Sequence, residues 1–400
     1  MLWNSAGSIC NLGCQWLISV LIVRLSDSYD AAGLYSLAMA LYNIFGSIAQ
    51  YRMYAYQISD VSRENTTGEY FSFRLITGFS ALAMCIVYGV VTCDSSALGA
   101  IVFFALYKTI SLLIDVLHAT DQQNHRMDYI GKSLSMQGII SLVVFSVVFY
   151  SSKSLELTLL MMSVGVLLVG ILYDLRKTRN FGAIKLGISR KKTIHLLVSC
   201  FPIVLAGIVA SSTSSIPRQM LSDSLGSGIL GAYASVAAPV AIIQMGASYI
   251  YNPLLGYFSE RYFDNDLPGF LKLFGKSFIA IVAIGLVCVV AFAVLGEWLL
   301  VLVFGDSILP YTYLLLPLVF LALATGIQWF LNDLLIALRS FRATLIASVF
   351  SFVVAVVLTY PLIGQFGPNG VTISGLAAAF IGTVVMLIAL VDKLRHMDKY

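Results

Sequence analysis

A single lysine lies in the middle of an otherwise apolar segment, and polar residues follow it at helical spacing. Lys108, Ser111, Asp115 and His118 fall at positions i, i+3, i+7 and i+10, which places them on one face of a helix. A charge at the centre of a bilayer costs at least about 2.5–3.5 kcal/mol. Lys108 is therefore expected either to line a water-filled path or to pair with a carboxylate on another helix. Asp115 lies roughly 10 Å from Lys108 along the helix axis, too far for an easy direct pair.

Two arginines precede a motif that occurs twice in the chain. Leu-Ser-Asp-Ser at residues 25–28 recurs at residues 221–224, with Arg24 and Arg218 just ahead, and each copy leads into a Gly-x-Tyr motif. The offset is about half of the chain, which indicates a duplicated helical bundle of the kind found in many transporters. The two arginines are expected to lie near the outer ends of helices one and seven. They either line the substrate path or extend to lipid headgroups.

A further arginine is surrounded by tyrosines in YRMYAYQISD. The guanidinium of Arg52 can bind phosphate oxygens, and a ring such as that of Tyr54 can pack on a sugar face, so the pair suits a sugar-pyrophosphate headgroup. The alternative is an aromatic belt beside an inside positive charge. Asp333, which follows Asn332 in a later apolar segment, is the remaining candidate for substrate binding.

These residues must be positioned by membrane helices. Hydrophobic residues make up 59% of the chain and charged residues 11%, against about 25% charged residues in soluble domains. The sequence predicts an all-α polytopic membrane protein with twelve spans of about 20 residues. They lie near residues 3–24, 34–54, 71–93, 97–118, 129–150, 155–174, 195–217, 229–252, 270–295, 310–336, 341–363 and 368–391. The apolar stretch 298–304 is too short to cross alone, and it is expected to end the ninth helix or form an interfacial turn.

The distribution of basic residues predicts the orientation. If the N-terminus is cytoplasmic, inner segments carry 20 Lys and Arg residues and outer segments carry 3. The inner count includes Arg52, Arg63, Arg74 and Lys399. Both termini are thus predicted to be cytoplasmic. The boundaries are an N-terminal six-helix lobe at 1–175, a basic cytoplasmic linker at 176–194 and a C-terminal six-helix lobe at 195–400, with the two lobes running parallel.

No enzymatic or nucleotide site is predicted. The six cysteines form no CxxC pair, and the chain has no Walker loop or HExxH motif. The basic residues do not form one clustered face, so nucleic acid is not an expected partner. No cofactor is expected, although Na⁺ or H⁺ could drive transport.

Long segments of the chain resemble a known family of transporters. The resemblance rests on LWNSAGSICNLGCQWLISVLIVRLSDSYDAAGLYSLAMA, YRMYAYQISDVSRENTTGEYFSFRLIT, DVLHATDQQNHRMDYIGKSLSMQG and YIYNPLLGYFSERY. These segments are similar to oligosaccharide-lipid flippases of the multidrug/oligosaccharidyl-lipid/polysaccharide (MOP) exporter superfamily, which share the fold of MATE drug exporters. The resemblance implies two six-helix lobes and alternating access.

The resemblance also implies a cargo and a location. The cargo would be an undecaprenyl-pyrophosphate oligosaccharide, moved across the bacterial cytoplasmic membrane for polysaccharide export, with membrane lipid and polysaccharide polymerase machinery as partners. Family members keep basic residues in the central cavity for the pyrophosphate. The residues of this chain that could fill that role are Lys108, Arg52, Arg24 and Arg218.

Two other functions are compatible with the composition. A drug or cation exporter of the same fold would favour carboxylates for cationic drugs, whereas the mid-membrane charge here is Lys108. A polysaccharide polymerase or ligase would place long, arginine-rich segments outside the membrane, whereas the outer loops here are short.

Overall fold

The computed structural model describes residues 2–26, 28–60 and 64–395, and within these ranges all regular structure is helical. Asp27 of the first motif, Arg63 and Lys399 lie outside the described residues. The α-helices are α1 (Leu2–Leu25), α2 (Asp30–Gln50), α3 (Met53–Ser59), α4 (Thr67–Thr92), α5 (Ser95–Gln123), α6 (Met127–Ser152), α7 (Leu155–Val169), α8 (Leu175–Thr178), α9 (Arg190–Leu225), α10 (Ser227–Tyr251), α11 (Leu255–Phe263), α12 (Leu267–Phe304), α13 (Leu315–Ala337), α14 (Phe341–Phe366) and α15 (Asn369–Arg395). A π-helical turn, Gly170–Asp174, joins α7 to α8.

The number of membrane-length helices matches the prediction. Eleven single helices in the described chain are long and apolar enough to cross a membrane, and α9 makes the twelfth when its two bent parts are counted as one span. The bend is 52° and lies between Phe201 and Val204, where Pro202 cannot donate a backbone hydrogen bond. The stretch 298–304 forms the last turns of α12. The prediction of an all-α, polytopic membrane protein is confirmed.

The chain divides into two compact units, Met1–Ser211 and Ser212–Tyr400. In the first unit α5 packs against α2, α4 and α7, and α7 also packs against α6. In the second unit α13 packs against α10, α12 and α15, and α15 also packs against α14. Each unit therefore uses the same order of helix pairings, which supports a duplicated architecture.

A register of 200 residues relates the third span of each unit. Thr66 and Asp266 are the N-caps of α4 and α12, and each side chain accepts a hydrogen bond from the backbone N–H three residues later. Four residues further on, Tyr70 and Phe270 are both fully buried. The repeated Leu-Ser-Asp-Ser motif follows a different register, since its second copy lies inside the last turns of α9 whereas the first copy begins at the end of α1.

Glycines allow α1 and α6 to approach closely. A Cβ at Gly7 would lie 2.1 Å from the Gly131 carbonyl oxygen, and one at Gly131 would lie 2.0 Å from the Trp3 oxygen. Further along, a Cβ at Gly138 would lie 2.8 Å from the Asn11 Cα. Small residues at helix contacts are a principal source of packing energy in membranes, where burial of apolar groups gives little. The contact fixes the position of α6, which carries part of the polar network described below.

Candidate functional site

Lys108 lies on α5, half-buried, with aromatic rings as its neighbours. Its Nζ is 5.6 Å from the Phe104 ring centroid and 5.2 Å from the Tyr107 ring centroid, within the range of cation–π attraction. Within the described part of the first unit, no carboxylate oxygen lies within 4.0 Å of Nζ. The ammonium therefore keeps its capacity to bind an anion.

Asp115, two turns further along α5, is paired with an arginine near the start of the predicted span 71–93. Arg74 lies in α4, where its side chain is only 1% exposed, and its Nη2 is 3.8 Å from Asp115 Oδ2. The predicted span 71–93 included Arg74, and α4 itself begins at Thr67, seven residues before it. Asp115 retains 35% exposure. Its carboxylate therefore neutralises a buried cation from one side and remains accessible from the other.

Arg74 also satisfies the end of the neighbouring helix. Its Nη1 donates to the Ala49 carbonyl oxygen at 2.9 Å and to the Gln50 carbonyl oxygen, both in the last turn of α2. Thr77 Oγ1 donates to the same Ala49 oxygen at 3.2 Å. Carbonyls at a helix C-terminus have no partner within their own helix and carry partial negative charge, so a buried guanidinium stabilises this end.

The chain turns sharply just after these carbonyls. Tyr51 and Arg52 both adopt left-handed backbone conformations, with φ of 45° and 56°, before α3 begins at Met53. Such conformations cost about 1–3 kcal/mol each for residues other than glycine, so surrounding contacts must hold them. The Arg74 hydrogen bonds supply part of that support. The turn leaves the Arg52 side chain exposed.

Tyr54 anchors α3 to α5. Its hydroxyl donates to Gln122 Oε1 at 2.7 Å. Burial, together with the nearby carboxylates of Asp115 and Asp121, raises the pKa of Tyr54 to about 12, so the hydroxyl stays protonated as a donor. The half-buried Tyr54 thus holds α3, which begins directly after Arg52, against the end of α5.

A second anchor joins α3 to α5 through amides. Gln57 Nε2 donates to the Val116 carbonyl oxygen at 3.2 Å and to Thr120 Oγ1 at 2.9 Å. In return, Gln123 Nε2 donates to the Gln57 carbonyl oxygen at 2.5 Å. The short helix after Arg52 is thus bonded along the last two turns of α5.

The remaining polar face of α5 is buried in a network that sequence reasoning missed. His118 Nε2 lies 3.1 Å from Asp174 Oδ1, and Ser133 Oγ donates to Asp174 Oδ2 at 2.8 Å. Thr178 Oγ1 donates to Asp121 Oδ1 at 3.1 Å. Asp174 ends the π-helical turn after α7 and is fully buried. Its position near the end of an apolar span, in ILYDLRK, was the available signal.

The other predicted site residues lie elsewhere. Arg24 is exposed in the last turn of α1. Arg218 is half-buried on α9, in the second unit. In that unit Asp333, on α13, accepts hydrogen bonds from the Tyr251 hydroxyl at 2.8 Å and from Asn332 Nδ2 at 3.1 Å. The structure thus gathers Arg52, Tyr54 and Asp115 at the contact of α3 with α5.

Comparison with known proteins identifies the fold. No family model matches the chain. The chain is 25% identical over 380 residues to the capsular polysaccharide biosynthesis protein CapF of Staphylococcus aureus, covering 93% of each protein. Among solved structures, the inward closed lipid II flippase MurJ matches with a TM-score of 0.75 at 13% identity, covering 99% of this chain and 89% of MurJ. An inward-facing multidrug resistance MATE transporter of the MOP superfamily matches with a TM-score of 0.68 at 14% identity, covering 98% and 99%.

The chain has the MATE-like fold that these solved structures share. The resemblance stated from the sequence is confirmed, and the same fold serves both a lipid flippase and multidrug transporters. In this MATE-like chain the ionic side chains of the site are concentrated on α4 and α5 of the first unit. Within the described ranges no group of three or more His, Cys, Asp or Glu side chains is placed to hold a metal ion. Of the predicted basic site residues in this unit, Lys108 is half-buried on α5 and Arg52 is exposed at the turn before α3.

Proposed function

We propose that this protein is a flippase that moves undecaprenyl-pyrophosphate-linked oligosaccharide units across the bacterial cytoplasmic membrane by alternating access, for polysaccharide export. The observation that carries the proposal is the half-buried Lys108, which lies in a span and has aromatic rings rather than a carboxylate as neighbours in its unit. Such a cation favours an anionic cargo. The relative named for capsular polysaccharide biosynthesis and the fold match to a lipid II flippase support the same class of cargo.

The roles of the site residues follow from their surroundings. Lys108 and Arg52 bind the pyrophosphate, with Arg24 and Arg218 as further basic residues on the path. Arg52 is held at the turn after α2 by the Arg74 hydrogen bonds and by the Tyr54 and Gln57 contacts of α3. Asp115 balances the charge of Arg74, and Asp333 fixes Tyr251 in the second unit.

The proposal also covers the membrane topology and the ion that drives transport. Both termini and the 176–194 linker face the cytoplasm, with lobes at 1–175 and 195–400. Na⁺ or H⁺ drives the cycle, the protein itself catalyses no covalent reaction, and the polysaccharide polymerase machinery receives the cargo.

A drug or cation exporter is the weaker alternative. A cationic drug needs an accessible carboxylate without a cation beside it. In the first unit, where Lys108 lies, Asp115 is paired with Arg74, and Asp121 and Asp174 are fully buried and hydrogen-bonded. A polymerase or ligase is also disfavoured, because the connections between consecutive described spans are short.

The test is lipid flipping by Lys108 variants in proteoliposomes that contain a fluorescent polyprenyl-pyrophosphate oligosaccharide. Lys108→Met keeps most of the side-chain volume but removes the charge, so flipping is expected to slow roughly ten- to hundredfold. Lys108→Arg should retain part of the activity because it keeps the charge. Lys191→Met, at an exposed residue of the linker, is the matched control and should flip at the wild-type rate.

Folding is checked separately by melting temperature and by the amount of protein inserted into the vesicles. If Lys108→Met is folded and moves the lipid-linked oligosaccharide at the wild-type rate, the proposed role of Lys108 is wrong. Faster transport of an organic cation than of the oligosaccharide lipid by the wild-type protein would favour the exporter instead.

A further inference from the structure

A basic crevice lies in the second unit, at the start of α12. Lys272 and Lys276 are four residues apart and therefore lie on the same face of the helix, and both are exposed. Arg261, at the end of α11, completes the basic lining. The crevice has a volume of about 410 Å³ and is lined by Arg261, Pro268, Gly269, Lys272, Leu273 and Lys276.

The arginine of this crevice is held in place. Arg261 Nη1 donates to Asp266 Oδ2 at 2.9 Å, while Asp266 Oδ1 accepts from the Gly269 backbone N–H at 2.9 Å and so caps α12. A Cβ at Gly269 would lie 1.8 Å from Arg261 Nη1. The absence of a side chain at Gly269 is therefore what lets the guanidinium rest against the first turn of α12.

The charges of the crevice are not balanced. Asp266 pairs with Arg261, but neither Lys272 nor Lys276 has a carboxylate oxygen within 4.0 Å among the described residues. Three cations against one carboxylate leave a net charge of +2. Such a crevice is complementary to a phosphate group.

Below the crevice, α12 offers a long apolar face. Its 38 residues span about 57 Å, well beyond a hydrocarbon core of about 30 Å, so its first turns reach the headgroup region. It has the highest hydropathy and the smallest share of buried residues of the eleven single-helix spans. Ile279, Val287 and Val294 are exposed along it. Acyl chains can pack on this face.

The corresponding turns of α4 are covered by the chain itself. Ser72, which is 200 residues before Lys272, accepts a hydrogen bond from the Gly187 backbone N–H at 2.7 Å. Lys192 Nζ lies 2.9 Å from Glu69 Oε1 in the first turn of α4. At the start of α4, a lysine of the linker is therefore paired with a carboxylate. At the start of α12, the two lysines Lys272 and Lys276 are exposed and can bind an anion.

We propose that the crevice binds the phosphate of an anionic phospholipid, whose acyl chains lie along the exposed face of α12. The phosphate receives hydrogen bonds from Arg261, Lys272 and Lys276. This site is separate from Lys108 and Arg52, and it does not depend on which cargo the protein carries.

The experiment measures lipid retention by native mass spectrometry on the full-length protein in detergent with phosphatidylglycerol or phosphatidylcholine. Retention of phosphatidylglycerol is expected to exceed that of phosphatidylcholine. The double variant Lys272→Gln/Lys276→Gln should weaken phosphatidylglycerol binding roughly thirtyfold, since each lysine that faces the lipid phosphate strengthens the binding about fivefold. Gly269→Ala should also weaken it, because the added methyl group displaces Arg261. The control Lys185→Gln/Lys191→Gln removes two exposed lysines of the linker and should bind as the wild type does.

Three results would overturn the proposal. Equal losses in the two double variants would mean that phosphatidylglycerol responds only to overall charge. Competition by glycerol phosphate as strong as competition by the whole lipid would identify a site for free phosphate, without a role for α12. Displacement of phosphatidylglycerol by a polyprenyl pyrophosphate at equimolar concentration would make the crevice a site for cargo. Melting temperatures of all variants establish that each remains folded.

Discussion

The third and fourth spans of each unit pack together in the same way but are joined by different chemistry. In the first unit Arg74 of α4 pairs with Asp115 of α5. In the second unit Phe274, 200 residues after Arg74, stacks on Phe330 of α13 with ring centroids 5.6 Å apart. Phe330 also contacts Phe258 and Tyr251, so an aromatic cluster occupies this end of the second unit.

The difference extends to the other buried side chains with charged or imidazole groups. Among the described residues with buried side chains, those with charged or imidazole groups are Arg74, His118, Asp121 and Asp174, all in the first unit. A buried ion pair is often no more stabilising than apolar residues of similar volume, because desolvation offsets the attraction. The stacking of Phe274 on Phe330 shows that the third and fourth spans of a unit can pack together without an ion pair. The ionic version is therefore best explained by what it positions, which is the turn that carries Arg52.

The largest expected loss of stability comes from replacing Arg74 with methionine, and the same replacement at Phe274 is its matched comparison. Arg74→Met removes three interactions and leaves Asp115 without its cation, so we expect a loss of about 3–5 kcal/mol in unfolding free energy. Phe274→Met conserves apolar volume and should cost less than about 1.5 kcal/mol. Unfolding in mild detergent, followed by circular dichroism, measures both. Equal losses would mean that the ionic contact is no more demanding than the aromatic one.

A double-mutant cycle on His118 and Asp174 tests whether the buried network acts as a unit. His118→Gln and Asp174→Asn each break the pair, and we expect a coupling energy of about 1–3 kcal/mol. The neutral pair Gln244 and Thr325 of the second unit, with a 2.6 Å hydrogen bond, is the matched comparison and should couple by about 0.5–1.5 kcal/mol. Additive losses at His118 and Asp174 would contradict the network.

A third comparison uses two tyrosines, Tyr54 in α3, just after the second span of the first unit, and Tyr251 at the end of α10 in the second unit. Tyr54→Phe removes a hydrogen bond to the neutral Gln122 and should cost about 0.5–1.5 kcal/mol. Tyr251→Phe removes a bond to the Asp333 carboxylate and should cost about 1.5–3 kcal/mol when Asp333 is ionised. In this comparison the larger loss of unfolding free energy is expected in the second unit, not the first. Chemical unfolding of the two variants measures both losses. A larger loss for Tyr54→Phe would be the contradicting result.

The spans could be predicted from the sequence because membrane thickness dictates their length and apolarity. The partners of the polar residues could not. Helical spacing placed Lys108, Asp115 and His118 on one face of α5, but spacing within one helix does not reveal that Arg74 and Asp174 come from α4 and the π-helical turn. The count of basic residues placed Arg74 on the inner side, but nothing in the sequence indicated that its side chain is buried against Asp115. The 200-residue register was hidden because the units share few identical residues in it.

The π-helical turn before Asp174 has a consequence for how such a site can arise. A π-helical turn contains one more residue than the α-helical turn it replaces. If the same residues continued as an α-helix instead, every later residue of the span would be rotated by about 100°, roughly the step of one residue. Asp174 would then point away from His118, although no polar residue had been substituted. The contact between Asp174 and His118 thus depends on the backbone form of this turn as well as on the identity of the two residues.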